Sequence, residues 1–187
     1  MPIKKYILCI FLSVLAFNLS AQYEFNWGAG VGLHQVGVRY AGGIVVAPRV
    51  NIASLSDNAS VAIGTKASFM FSTLADGSRD VPETRLGYDA PLFAMINIGR
   101  EANYYSIGGL GFVAGIGYSF SQMTLSSRDL EDVVLRADGV FLMGGLRFPV
   151  FGDRSMGINV SQTFGRGSHL NSLNSLSVRL LYYFGEQ

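Results

Sequence analysis

The chain has 187 residues, of which 49% are hydrophobic and 14% charged, with 14 Lys+Arg against 13 Asp+Glu. That near-balance leaves no basic excess to hold nucleic acid. A single cysteine, Cys9, rules out a disulfide framework, and the length suits one domain.

The first 21 residues carry the three parts of a secretory signal. Lys4 and Lys5 give the positive start and Ile7 to Phe17 a short apolar run, and Asn18-Leu19-Ser20-Ala21 gives a small-residue cleavage site before Gln22. The run is shorter than the roughly 20 apolar residues a spanning helix needs, so a retained anchor is the poorer reading. Residues 1–21 are therefore read as a cleaved signal peptide and 22–187 as the mature domain. Losing Lys4, Lys5 and Cys9 leaves 12 basic against 13 acidic residues and no cysteine. All 23 glycines lie in the mature part, where they suit a narrow, strongly curved sheet.

The mature chain is apolar without any long apolar run. Its residues alternate, with small or polar side chains on one side and apolar ones on the other, which is the period of a β-strand. Eight such strands are predicted. The first, 25–40, turns Phe25, Trp27, Ala29, Val31 and Leu33 out and Asn26, Gly28, Gly30, Gly32 and His34 in. The second, 43–54, turns Ile44, Val46, Pro48, Val50 and Ile52 out and Arg49 and Asn51 in; Pro48 predicts a bulge or a register change there. The third, 59–72, carries Lys66 inward, and the fourth, 88–100, Met95 and Asn97. The fifth, 104–122, opposes a run of glycines to Leu110, Phe112, Ala114, Ile116, Tyr118 and Phe120. The sixth, 134–150, points Arg147 inward, and the seventh, 154–165, Gly157, Asn159, Ser161 and Thr163. In the eighth, 175–184, Leu176, Val178, Leu180, Tyr182 and Phe184 share one face, with Arg179 on the other.

In lipid every backbone group must be paired, so only helices and closed barrels span a membrane. With helices excluded, the pattern predicts an all-β fold: an eight-stranded antiparallel up-and-down transmembrane β-barrel. The competing soluble reading is a β-sandwich whose apolar faces turn toward each other. Connections support the barrel. Short turns are expected at 56–58, 101–103 and 151–153, and long loops at 73–87 and 121–133. That alternation requires an even strand count with both termini on the short-turn, periplasmic side. Aromatic residues gather at both predicted edges: Phe25, Trp27, Tyr104, Tyr105, Phe148, Tyr182 and Phe184 at one, and Phe69, Phe71, Tyr118, Phe120 and Phe164 at the other.

Candidate chemistry is sparse. Arg49, Lys66, Arg147 and Arg179 are expected in the lumen, with Glu24, Asp89 and Glu101 as inward acids. Charges there are costly unless paired, so a structural salt-bridge and hydrogen-bond network is the first reading and an anion-binding or gated polar path the second. An eight-stranded barrel is just wide enough for its own side chains, which argues against bulk conduction. His34 is expected to cap the lumen, and His169 beside Ser168 to be a solvated loop histidine rather than a general base. Asp129, Glu131 and Asp132 read as solvated loop charge rather than a cation site, and Gly28, Gly30 and Gly32 as a lumen-packing face of a strand rather than a phosphate loop. No catalytic, cofactor or metal residue is assigned.

Three segments carry a family resemblance: Ser20-Ala21-Gln22, Trp27-Gly28-Ala29-Gly30-Val31-Gly32-Leu33, and Leu176-Ser177-Val178-Arg179-Leu180-Leu181-Tyr182-Tyr183-Phe184. The chain resembles the small outer-membrane β-barrels common in Bacteroidota, the PorT-like proteins akin to OmpX- and OmpA-type barrels. The resemblance implies residence among outer-membrane lipids. It also implies insertion by the outer-membrane assembly machinery, which reads an aromatic final strand, here Tyr182 and Phe184, with Gly185-Glu186-Gln187 as a short departure. The expected function is a non-enzymatic structural or surface-interacting protein whose outer loops meet a protein partner or the environment. The alternatives are a small-solute or lipid transport element, or a lipid-modifying enzyme using His169.

Overall fold

The computed structural model describes residues 24–75, 82–102, 106, 109–127, 130–150, 154–165 and 173–184. The expected signal peptide lies outside them. Eleven strand segments follow in chain order: β1 (Glu24–Val36), β2 (Arg39–Val46), β3 (Arg49–Ser56), β4 (Ala59–Thr65), β5 (Ala67–Ala75), β6 (Pro82–Gly99), β7 (Gly111–Ser127), β8 (Leu130–Arg136), β9 (Gly139–Pro149), β10 (Ser155–Gly165) and β11 (Ser175–Phe184). Three pairs of segments, β2/β3, β4/β5 and β8/β9, each run on across a one- or two-residue break, so the eleven form eight strands of one ring. Every pairing is antiparallel between chain neighbours, and β1 closes the ring against β11, from Trp27↔Phe184 to Val36↔Ser175. Closure leaves no second sheet for the apolar faces to pack on. The sandwich is thereby excluded.

Alternation explains which face is which. Val31, Leu92, Ile116 and Leu180 are exposed on the outer wall, while Met95, Phe141, Asn159 and Arg179 are buried inside. A continuous exposed band of this kind would aggregate in water, and hydrocarbon is the solvent that fits it.

The structure corrects several sequence expectations. Pro48 removes a ladder donor but does not change the register. Glu24↔Asn51 in β3 and Ala29↔Val46 in β2 hold the same pairing frame against β1. The irregularities fall instead between Asn51 and Ala53 and between Ser54 and Ser56. The expected loops at 73–87 and 121–133 are largely strand: β5 runs to Ala75, β6 starts at Pro82, β7 runs to Ser127 and β8 starts at Leu130. Mixed charge there suggested loops, yet a sheet that has left the hydrocarbon tolerates charge freely. β5 to β8 therefore form a wall that rises beyond the ring at the end opposite the termini. In that wall β8 pairs, among the described residues, with β7 alone.

The expected short turn at 101–103 is wrong in the other direction. β6 ends at Gly99 and β7 begins at Gly111, so the connection is far longer and the fifth strand starts later than expected. Its described part turns inward: Ala102 and Ser106 are buried, and Gly99, Glu101 and Gly109 have φ of 75°, 57° and 72°. Two glycines take these left-handed positions without cost, while Glu101 does so against its preference.

Candidate functional site in the barrel lumen

The lumen has two unlike walls. On the β4, β6, β7 and β9 side, Ala62, Phe93, Met95, Val113, Phe141 and Met143 form an apolar cluster, with the Phe93 and Phe141 rings 5.1 Å apart. The β1, β10 and β11 side is polar. Here Ser161, Ser177 and Arg179 come from inward positions of alternating strands, and His34 Nδ1 lies 2.9 Å from Ser177 Oγ. His34 therefore sits buried beneath the mouth opposite the termini.

All four lumen cations expected from the sequence are buried: Arg49, Lys66, Arg147 and Arg179. Asp89 is buried with them, while Glu24 and Glu101 lie at the terminus-side mouth. Two arrangements result. Toward the far end, the Arg179 guanidinium forms an ion pair with Asp89, and Ser119 Oγ donates to the same carboxylate at 2.5 Å. Arg179 also donates to Ser68 Oγ at 3.3 Å and to Ser161 Oγ. Each member of this group stands on a strand, so its geometry is set by sheet register.

Nearer the termini the arrangement is different. Arg49 Nη2 donates to the Glu101 carbonyl at 2.8 Å and to its carboxylate at 3.3 Å. Arg147 donates to Asn97 Oδ1 at 2.8 Å and to the Glu101 carbonyl at 3.3 Å. Asn51 and Ser60 donate to the Ala102 carbonyl, and Asn51 also to Glu24. The inward turn therefore supplies acceptors to donors that strands β3, β4 and β9 direct at the mouth. Among the described residues, Lys66 meets no carboxylate: its ammonium donates to Asn159 Oδ1 at 2.5 Å and lies 5.9 Å from the Phe93 ring centre.

Tyr183 organises this half. Arg147 and Arg49 lie 5.0 and 5.6 Å from its ring centre, within cation–π reach, and Asn159 donates to its hydroxyl at 3.4 Å. The ring needs the space left by Gly28 and Gly157, where an added Cβ would come within 2.9 and 2.8 Å of ring carbons. Tyr183 was not singled out from the sequence, nor were Asn97 and Asn159 as partners of Arg147 and Lys66. The parity of β11 does place Tyr183 beside Arg179 on the inner face; its contacts with Arg49 and Arg147 are what the sequence did not show.

The final-strand aromatics Tyr182 and Phe184 face outward. Phe184 stacks on Trp27 at 4.2 Å across the closing seam, with Tyr182 5.1 Å away. His169 and Asp129 lie outside the described residues, as do Tyr104 and Tyr105 and the side chain of Glu131. Asp132 accepts from Ser126 Oγ at 2.6 Å, and among the described residues no group of His, Cys, Asp and Glu is placed to hold a metal.

Neither the family models nor the curated proteins compared with this chain match it. Solved structures do. Ail, the attachment invasion locus protein of Yersinia pestis, superposes with a TM-score of 0.55 at 13% identity, covering 88% of this chain and all of that one. The N-terminal β-barrel domain of Pseudomonas aeruginosa OprF gives 0.52 at 12% identity, over 87% and 100% of the two chains. Neisserial surface protein A gives 0.51 at 8%, over 89% and 98%. The chain thus has the fold of the small eight-stranded outer-membrane β-barrels, the OmpX- and OmpA-type architecture.

Proposed function

We propose that the protein resides in an outer membrane as a non-enzymatic barrel, with its termini on the periplasmic side. Its role would be surface contact through the β5–β8 wall. One observation carries this reading: β6 and β7 have 18 and 17 residues, while β10 and β11 have 11 and 10. A tilted strand crosses the hydrocarbon with about 9–11 residues, so the shorter strands match the bilayer and the longer ones project beyond it. The projecting wall offers exposed Leu86, Tyr88, Val133 and Val134, and β8 presents an unpaired edge among the described residues. Edges and exposed apolar side chains of this kind suit protein contact.

The fold neighbours support the location, and Ail has also been solved in complex with the heparin analogue sucrose octasulfate. The finer placement among PorT-like proteins rests on the sequence pattern alone, as does insertion by the assembly machinery through Tyr182 and Phe184. Transport along the lumen is the weaker reading, because Phe93, Phe141, Met70, Met123 and Leu181 fill it.

Cysteine labelling of whole cells tests the topology, since the mature chain would carry no cysteine of its own. Val134→Cys, on the wall, should react with a membrane-impermeant maleimide. Leu55→Cys, exposed at the terminus-side end, should react only after the outer membrane is opened. The opposite pattern would invert the topology and remove the surface role.

A further inference from the structure

We propose that the terminus-side half of the lumen is an oxyanion site, built from Arg49 and Arg147, in which the Glu101 side chain is a built-in and displaceable occupant. Among the described residues, Arg49, Lys66, Arg147 and Arg179 share the lumen with Asp89, Glu101 and Glu24, the last held by Asn51 at the mouth. Asp89 belongs to Arg179, so Glu101 and Glu24, both at the mouth, remain for Arg49, Arg147 and Lys66. Arg147 and Lys66 are held by the neutral side-chain amides of Asn97 and Asn159. Buried charge is expensive unless an opposite charge accompanies it.

Geometry adds to the imbalance. Two guanidiniums from different strands, β3 and β9, converge on the oxygen atoms of a single residue. Arg49 and Arg147 both donate to the Glu101 carbonyl, and Arg49 reaches its carboxylate as well. Converging guanidinium forks are the geometry that recognises carboxylate and phosphate oxygens. The present occupant fills this arrangement incompletely: among the described residues, Arg49 Nε and Arg147 Nε are buried without a hydrogen-bond partner, and so is Glu101 Oε1. Glu101 reaches the site only with φ at 57°, a conformation unfavourable for a non-glycine residue. Its side chain is the more exposed member of the pair, 12% against 3% for Arg49, so moving it toward the mouth gives up less burial than moving the arginine would. An incoming oxyanion would take the place of that carboxylate and use the donors it leaves idle. The recognised chemistry is a small, multiply oxygenated anion of the inorganic phosphate class, arriving from the terminus side.

The test is titration of the purified, folded barrel in detergent with inorganic phosphate, followed by calorimetry, with folding checked by the mobility of unboiled samples on gels. Glu101→Gln removes the competing charge and keeps the size. It should bind phosphate at least about tenfold more tightly than the parent chain, a factor within the usual range of coupling between competing sites. Adding Arg147→Met to Glu101→Gln should abolish the gain. Folded Glu101→Gln without tighter binding overturns the proposal. So does equal binding by the double variant, which would mean adventitious surface cations only. Should Glu101→Gln not fold, Glu101→Asp shortens the carboxylate's reach and must tighten phosphate binding in the same direction; no gain there overturns the proposal equally.

Discussion

Arg179–Asp89 and Arg49–Glu101 join the same kinds of group inside the same ring, yet they are built differently. Both partners of the first stand on strands, β11 and β6, where inter-strand register fixes each side chain. In the second, Arg49 stands on β3 while Glu101 lies in an inward turn with left-handed backbone at three described positions. A register-held pair has little freedom to separate without unpairing the sheet. A turn-held pair can exchange its acid for another anion while the barrel stays closed. The contrast separates a structural ion pair from one able to recognise something.

The largest expected effect falls on the rigid pair. Asp89→Asn leaves the Arg179 guanidinium buried without a counter-charge and weakens the acceptor of Ser119. Removing one member of a buried pair costs about 3–5 kcal/mol, so the urea midpoint of the lipid-refolded protein should fall sharply. Trp27, the one tryptophan, is outward-facing and stacked on Phe184, and its fluorescence reports the transition. A loss below about 1 kcal/mol, the scale of surface pairs, would show that water reaches Arg179 and that the two pairs are alike.

Lys66 sharpens the comparison from the other side. It is buried, held by one amide oxygen and one ring face, with no carboxylate among the described residues. Lys66→Met keeps much of the side-chain volume and removes the charge. It should therefore stabilise the barrel by about 1 kcal/mol, since replacing a poorly compensated buried charge by an apolar isostere is often favourable. Destabilisation in the same urea experiment would mean that Asn159 and Phe93 compensate Lys66 as fully as Asp89 compensates Arg179.

How much of this was legible in the sequence follows from what a two-residue period can carry. Alternation placed Arg49, Lys66, Arg147, Asp89 and Arg179 on the inner face, because parity within one strand is a local property. Partners across the lumen depend on register between distant strands, which is why Asn159 opposite Lys66 and the Tyr183 ring between two arginines went unread. The connection after Gly99 was misjudged for a related reason. Glu101-Ala102-Asn103 looks like any polar turn, and only donors on Arg49, Asn51, Ser60 and Arg147, from three separate strands, draw it inward. Charged stretches beside Arg85 and Asp132 were read as loops because a sheet beyond the bilayer loses the hydrocarbon's veto on charge.

The smallest effect, and the finest probe of the contrast, is expected at Glu101. Glu101→Gln removes a carboxylate at a partly exposed mouth but leaves the backbone carbonyl that Arg49 and Arg147 both use. The loss should be about 1 kcal/mol, the scale of one hydrogen bond to a charged group after solvent discounting, and well below that of Asp89→Asn. Glu101→Gly removes the same carboxylate and also relieves the φ of 57°, worth about 0.5–1 kcal/mol, so its midpoint should lie above that of Glu101→Gln. If glycine proves the worse of the two, the turn is not held against its backbone preference. The Arg49–Glu101 pair would then be as firmly built as the one between β11 and β6.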